Sequence, residues 1–316
     1  MRMLRRSAVW TFMLALMAAI GAVGSARAAD EARGPQQSDA KWKPVEQALG
    51  RAGQMQPGGV YRAAFPRTDL KVTVQGVEVK PGFALGSYAA FKSMGRDAMV
   101  MGDLVLLDEE ISEVMLRLLN AGIAVTALHN HLNEMSPHVM YMHYVGRGSA
   151  SQLATALRGA LSASGTPLGP AAAPAPAAPM GLGIDQQQVE AVLGRSGRVN
   201  NGILQVSVAR AERITEEGME LLPAMGVSTA LNFQPTGDGK AAITGDFVLI
   251  GREVNAVARA LRVHGIQVTA IHNHALGDNP RLFYMHFWAN DDAVTLAKGL
   301  RSALDMTNSK PTEKTK

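Results

Sequence analysis

Apolar and polar positions along the chain change period in an order that occurs twice. Residues 99–107 form an apolar run of strand length broken only by Gly102-Asp103. After Asp108, the apolar residues Ile111, Val114, Met115, Leu118 and Leu119 recur every three or four positions up to Gly122. This predicts an amphipathic helix with Asp108 as its N-cap and the glycine as its stop. Upstream, residues 45–49 predict a short helix closed by Gly50, and residues 61–79 alternate as strands with breaks at Pro66 and Gly76. Downstream come a strand over 123–131, a loop holding Pro137, a strand over 139–145 and a helix from about 151 to 161. Strands, helix, two strands and helix make an α+β domain, a mixed or antiparallel sheet covered by helices on one face.

A spacing of 143 residues relates the two occurrences. Gly102-Asp103 returns as Gly245-Asp246, Val125-Thr126-Ala127 as Val268-Thr269-Ala270, His129-Asn130-His131 as His272-Asn273-His274, and Tyr141-Met142-His143 as Tyr284-Met285-His286. The chain therefore reads as a tandem duplication, with copies at 44–161 and 187–304, an Ala/Pro-rich linker at 162–186 and a polar tail at 305–316. Such a linker permits docking, and the expected arrangement is an intramolecular pseudo-twofold pair.

The N-terminus adds a destination. Arg2, Arg5 and Arg6 precede an apolar run over 8–23, and Ala26-Arg27-Ala28 fits a small-residue cleavage site, so residues 1–28 predict a signal peptide and a periplasmic or secreted protein. With that segment removed, no membrane span is expected. The 316 residues are 47% hydrophobic and only 18% charged, enough for two cores. A formal charge of +4, without a basic face bearing aromatics, gives no case for nucleic acid. Cysteine is absent, which excludes disulfides and thiolate chemistry and leaves His, Asp, Glu or Met for any metal.

The histidines carry the most concrete chemistry. His129 and His131 share strand parity, as do Tyr141 and His143. If His131 pairs with Tyr141, His129 stands opposite His143 with Cβ atoms about 5 Å apart. His272, His274, His286 and Tyr284 repeat the pattern. Three imidazoles with an open position suit a divalent metal, zinc foremost. The alternative is a polar sheet face of hydrogen-bonded histidines. Asp103 and Asp246 interrupt apolar strands, where a carboxylate needs a partner, and a histidine ligand held from behind would supply one; the alternative is that the strand ends near a turn there and the carboxylate is in water. Glu110 and Glu253 fit the favourable first turn of a helix, Glu134 is a loose general-base candidate, and His264 fits a helix C-cap. Arg67 and Arg210, each followed two residues later by an acid, read as ion pairs or as holders of a carboxylate or phosphate ligand. The methionines Met99, Met101, Met140 and Met142 read as core, with a soft-metal site as the other option.

Ala84-Leu85-Gly86-Ser87, the run from Met99 to Leu106, Val125-Thr126-Ala127-Leu128-His129-Asn130-His131 and Tyr141-Met142-His143 together resemble the bacterial family typified by the mycobacterial lipoproteins LppY and LpqO. The resemblance implies export and brings no activity. This chain lacks a lipidation cysteine, which implies a soluble form, and its second copy reads Val227-Ser228-Thr229-Ala230 where the first has Ala-Leu-Gly-Ser, which favours copy one as the more active. Three functions follow from the residues: a metal- or small-ligand-binding protein, a metal-dependent hydrolase using the same histidines, or an interaction module without ligand.

Overall fold

Each copy turns its two apolar periods into a sheet with helices on one face. The computed structural model describes residues 40–170 and 181–311; residues 1–39, where the expected signal peptide falls, residues 171–180 of the linker and the last five residues lie outside them. In copy one the strands are β1 (Gln54–Gln56), β2 (Val60–Pro66), β3 (Val72–Val74), β4 (Val77–Val79), β5 (Gly86–Met94), β6 (Asp97–Leu107), β7 (Ala124–His129), β8 (Met135–Ser136) and β9 (Val139–Gly148). Copy two repeats them as β10 (Arg198–Asn200), β11 (Ile203–Ala209), β12 (Ile214–Glu216), β13 (Met219–Leu221), β14 (Ser228–Gly237), β15 (Lys240–Ile250), β16 (Gln267–His272), β17 (Asp278–Asn279) and β18 (Leu282–Asp292). The sheets have orders β1-β2-β5-β6-β9-β7 and β10-β11-β14-β15-β18-β16, each with a three-stranded companion, β4-β3-β8 and β13-β12-β17. Among the described residues every ladder is antiparallel, so the mixed option falls away.

Helices Lys43–Leu49, Ile111–Asn120 and Ala150–Leu161 cover one face of the first sheet, burying Leu49, Leu118 and Leu157 against Phe91, Met142 and Tyr144. The equivalent core in copy two holds Leu193, Leu261 and Leu300 against Phe233 and Phe287. Each such side chain contributes about 1.5–3 kcal/mol by leaving water. Gly50 closes the first helix in the left-handed conformation (φ 68°), as its position predicts. Asp108 is not the cap expected: it opens a single 3-10 turn, Asp108–Glu110, and the side chain of Glu110 accepts from the Leu107 N–H at 2.8 Å.

The opposite faces join the copies. One cluster unites Val60, Ala90, Met99 and Met101 of copy one with Ile214, Leu221 and Met225 of copy two; another unites Val72, Phe83 and Leu85 with Ile203, Ala242 and Trp288. Met99 and Met101 thus serve packing. Polar bonds follow the same lines, with the Trp288 indole donating to Gln75 at 3.0 Å and Arg62 donating to the Ala224 carbonyl at 2.8 Å. The described residues of both copies belong to one compact unit. Two boundaries move. Residues 164–169 pack on copy one, where Gly165 N–H donates to Glu110 and Arg51 binds the carbonyls of Pro167 and Gly169. Residues 308–310 are likewise no tail: Ala211 N–H donates to the Asn308 carbonyl, and Lys310 N–H to that of Ala209.

Candidate metal centre

Strand register brings the chemistry together. Asp103 on β6 stands opposite His143 on β9, and Asp246 on β15 opposite His286 on β18. The edge strands β7 and β16 supply the rest, with a correction to the expected pairing. His129 opposes Tyr141, not His143, and His272 opposes Tyr284; a bulge between Val125 and Ala127, and another between Val268 and Ala270, shifts each edge strand by one residue and sets its histidine against the tyrosine. The strand also ends at His129: the chain leaves the sheet so that Met135 can pair with Val74 on β3. His131 reaches the cluster from a loop, its ring stacked on Tyr141 at 3.2 Å between centroids; His274 stacks on Tyr284 at 3.4 Å.

The pseudo-twofold arrangement then lays one triad on the other. His129 stacks on His272 at 3.4 Å, His131 on His286 at 3.7 Å and His143 on His274 at 3.6 Å. What the sequence presents as one cluster per copy is a single six-histidine centre at the seam. The ligand nitrogens of His129, His131 and His143 lie within 4.8 Å of one another, as do those of His129, His272, His274 and His286. Two threonines clamp the seam: Thr126 donates to the carbonyl of His274 at 2.6 Å and Thr269 to that of His131 at 2.5 Å. The repeated Val-Thr-Ala strings carried that signal, but their cross-copy role is invisible without the docking.

Second bonds fix the tautomers. Carbonyl oxygens can only accept, so Nδ1 of His129 donates to Asn130 at 2.9 Å, Nδ1 of His272 to Asn273 at 3.4 Å and Nδ1 of His286 to Gly245 at 2.9 Å. The proton then sits on Nδ1 and Nε2 keeps its lone pair, the form a metal needs. Among the described residues, Nε2 of all six histidines is buried without a hydrogen-bond partner, as is Oδ1 of Asp103, while Oδ1 of Asp246 meets only Nδ1 of His286, 2.8 Å away and already bonded to the Gly245 carbonyl. Each such atom costs about 1–3 kcal/mol, against a net fold stability of about 5–15 kcal/mol. Native interiors leave only a few such atoms and scatter them, whereas here they converge on one place.

Electrostatics point the same way. Burial, then the neighbouring imidazoles, holds His131, His143 and His274 well below the usual histidine range; burial brings His129 down to about 4 and His272 to about 2. All five are neutral and available as ligands. The carboxylates differ. Burial, then Asp246, pushes Asp103 well above its ordinary value. Burial opposes ionisation of Asp246 too, but His286, with Nδ1 2.8 Å from its Oδ1, outweighs it and the net direction is down. The nearest histidine nitrogens stand 3.8 Å from Asp103, too far to offset burial in this way. Tyr141 donates to the Ala84 carbonyl at 2.8 Å, which orients the ring under His131.

Arg67 and Arg210 hold no ligand, and that reading is corrected. All five Arg67 donors are used, on Asp69, Glu110 and the Val105 carbonyl; Arg210 repeats this with Glu212, Glu253 and Val248. Both guanidinium groups are almost wholly buried, so these are structural clamps between strand and helix start, and Glu110 and Glu253 serve them. Glu134 is exposed on a left-handed turn (φ 57°), and His264 sits at its helix C-terminus as expected.

No curated protein matches the chain. Among solved structures, the trimeric bacterial microcompartment shell protein PduB is 12% identical with a TM-score of 0.21, covering 81% of this chain and 93% of its own. EtuB from Clostridium kluyveri is 8% identical with a TM-score of 0.18, covering 79% of this chain and 89% of its own. At such TM-scores neither likeness bears on fold or function. The model of the family described as Domain of Unknown Function (DUF1259) matches residues 43–163 and again residues 187–306, and the chain therefore belongs to that family and carries its domain twice.

Proposed function

We propose that this chain is an exported cell-envelope protein, periplasmic or secreted, that binds a divalent transition metal in the six-histidine centre between its copies. The observation that carries the reading is the set of six buried Nε2 atoms, lone pairs converging and without partners. The residues fit the ion: imidazole suits zinc and its neighbours, at about 2.0–2.1 Å from metal to nitrogen, and within each of the two sets the nitrogens already lie within 4.8 Å of one another. The charged, apolar and cleavage regions of residues 1–28 support export, as does the resemblance to LppY and LpqO. A bound ion would supply Lewis acidity; the protein's own contribution is to fix the tautomers, through Asn130, Asn273 and Gly245, and to keep bulk water off the lone pairs.

Elemental analysis of the mature protein, produced without a histidine tag, tests the reading. The expected result is a stoichiometric divalent metal that a strong chelator removes and added zinc restores. Protein that carries no metal and takes up none with at least micromolar affinity would count against it.

A further inference from the structure

The six imidazoles are not a single ring of ligands. Measured from the His129–His272 stack, His131 lies 5.2 Å from His129 but 6.4 Å from His272, and His143 lies 5.0 Å and 6.3 Å from the same two rings. His274 lies 5.0 Å from His272 and 5.8 Å from His129, and His286 lies 4.8 Å and 5.7 Å away. Each copy's three rings are therefore level with one another. They form two layers 3.4–3.7 Å apart, with all ring planes within 29° of parallel.

An imidazole nitrogen presents its lone pair in the plane of its ring. An ion held by one layer therefore lies in that layer, and a ring of the other layer reaches it only after tilting. The layer spacing is close to the separation of about 3.5–4 Å at which two-metal centres hold their ions. One ion in a four-histidine shell of His129, His272, His274 and His286 would leave His131 and His143 with buried, unpartnered Nε2 atoms; two ions satisfy all six. Two buried carboxylates are also present. Oδ1 of Asp103 lies 3.8 Å from Nε2 of His143 and its Oδ2 lies 3.8 Å from Nε2 of His131, so this carboxylate faces the same lone pairs as the copy-one layer. Asp246 instead stands behind His286, 2.8 Å from Nδ1.

Resting on the metal reading above, we infer that the centre is dinuclear: two divalent transition-metal ions per chain, one in each imidazole layer, with Asp103 as the fourth ligand of the copy-one ion. The copy-two ion, held by His272, His274 and His286, keeps the open position. The two sites are consequently unequal, one closed by an oxygen ligand and one open to a small exogenous ligand.

The test is the stoichiometry of the full mature chain loaded with zinc and passed through metal-free buffer. Two ions per chain are expected. His131→Ala and His274→Ala should each lower the count to one. Asp103→Asn, which keeps shape, should weaken one of the two zinc equivalents about tenfold or more while sparing the other. Loading the unaltered protein with two equivalents of copper(II) gives a reading that needs no variant: a spin-coupled pair with a half-field electron paramagnetic resonance line. A wild-type count of one ion, or two magnetically isolated coppers, overturns the dinuclear assignment and leaves the metal reading standing. A count of zero overturns both.

Discussion

The hydroxyl of Thr126 in the first copy donates to the backbone carbonyl of His274 in the second at 2.6 Å, and Thr269 returns the bond to His131. Because His131 and His274 lie outside regular strands, these two bonds hold their backbones in place against the opposite copy. The centre is thus a product of docking, and its geometry should respond to residues that touch no ligand nitrogen.

Thr126→Val and Thr269→Val keep the volume and remove the donor. Each should cost about 1 kcal/mol of stability in the metal-free protein, and the pair should also weaken zinc binding by loosening both loops. Denaturant unfolding with chelator present, followed by competitive zinc titration, checks both effects. Unchanged zinc affinity in the double variant would show that the loops are held by other contacts.

Gly102 and Gly245 precede the two aspartates because the neighbouring strand leaves no room for a side chain. A Cβ at Gly102 would meet the Tyr88 carbonyl oxygen at 2.0 Å, and one at Gly245 the Ala230 carbonyl oxygen at 1.8 Å. Backbone atoms in a ladder cannot move aside singly. Either glycine-to-alanine change should destabilise by about 3 kcal/mol or more, seen as a lowered denaturation midpoint. A midpoint within the error of wild type would refute the account of these glycines.

Arg67→Ala should separate fold from site. It strands Glu110 in a buried position and should cost about 3–5 kcal/mol, while zinc bound per folded molecule stays at the wild-type value. Loss of metal without loss of stability would restore the ligand-holding role that the geometry removes.

The apo protein should lose stability in acid earlier than carboxylates alone would require. His129, His131, His143, His272 and His274 all have folded values depressed below an unfolded value of about 6.5. Above that pH both states are neutral and the full stability is present. Below it the unfolded chain binds protons that the folded chain refuses, so stability falls with pH, through about 4 for His129. The slope is up to about 1.4 kcal/mol per pH unit for each histidine. Asp103, raised in the folded state, acts oppositely: its contribution is fully present at pH below its unfolded value and is lost as pH rises through the folded one. One carboxyl against five imidazoles leaves the net sign unchanged. Unfolding midpoints between pH 7.5 and 5 with chelator present measure it, and a flat profile would contradict neutral burial.

Much of this was legible in the chain. Parity placed His129 with His131 and Tyr141 with His143, and the repeat announced the duplication. The spacing pointed to three convergent histidines within a copy, but His131 reaches the others from a loop and not by strand parity. The details that failed depend on backbone irregularity or on docking. The bulge after Val125 shifts the partner of His129 by one residue, and no side-chain period encodes it. β5 escaped notice because Ala89, Ala90 and Phe91 are all buried, so its pattern does not alternate. Ser309 looked like tail because its pairing with Arg210 is made through the backbone. The face-to-face stacking of the triads is a property of the seam between copies, which neither copy's sequence describes alone.

X-ray absorption of the zinc-loaded, tag-free protein tests the central claim most directly, because it reads the ligands without altering them. The account predicts a first shell dominated by nitrogen at about 2.0–2.1 Å with the outer-shell scattering of several imidazoles, lost in His129→Ala together with His272→Ala and retained in His264→Ala. A shell of oxygen alone, or a nitrogen signal that survives loss of His129 and His272, would place the metal elsewhere and leave the six histidines as a stack of rings without an ion.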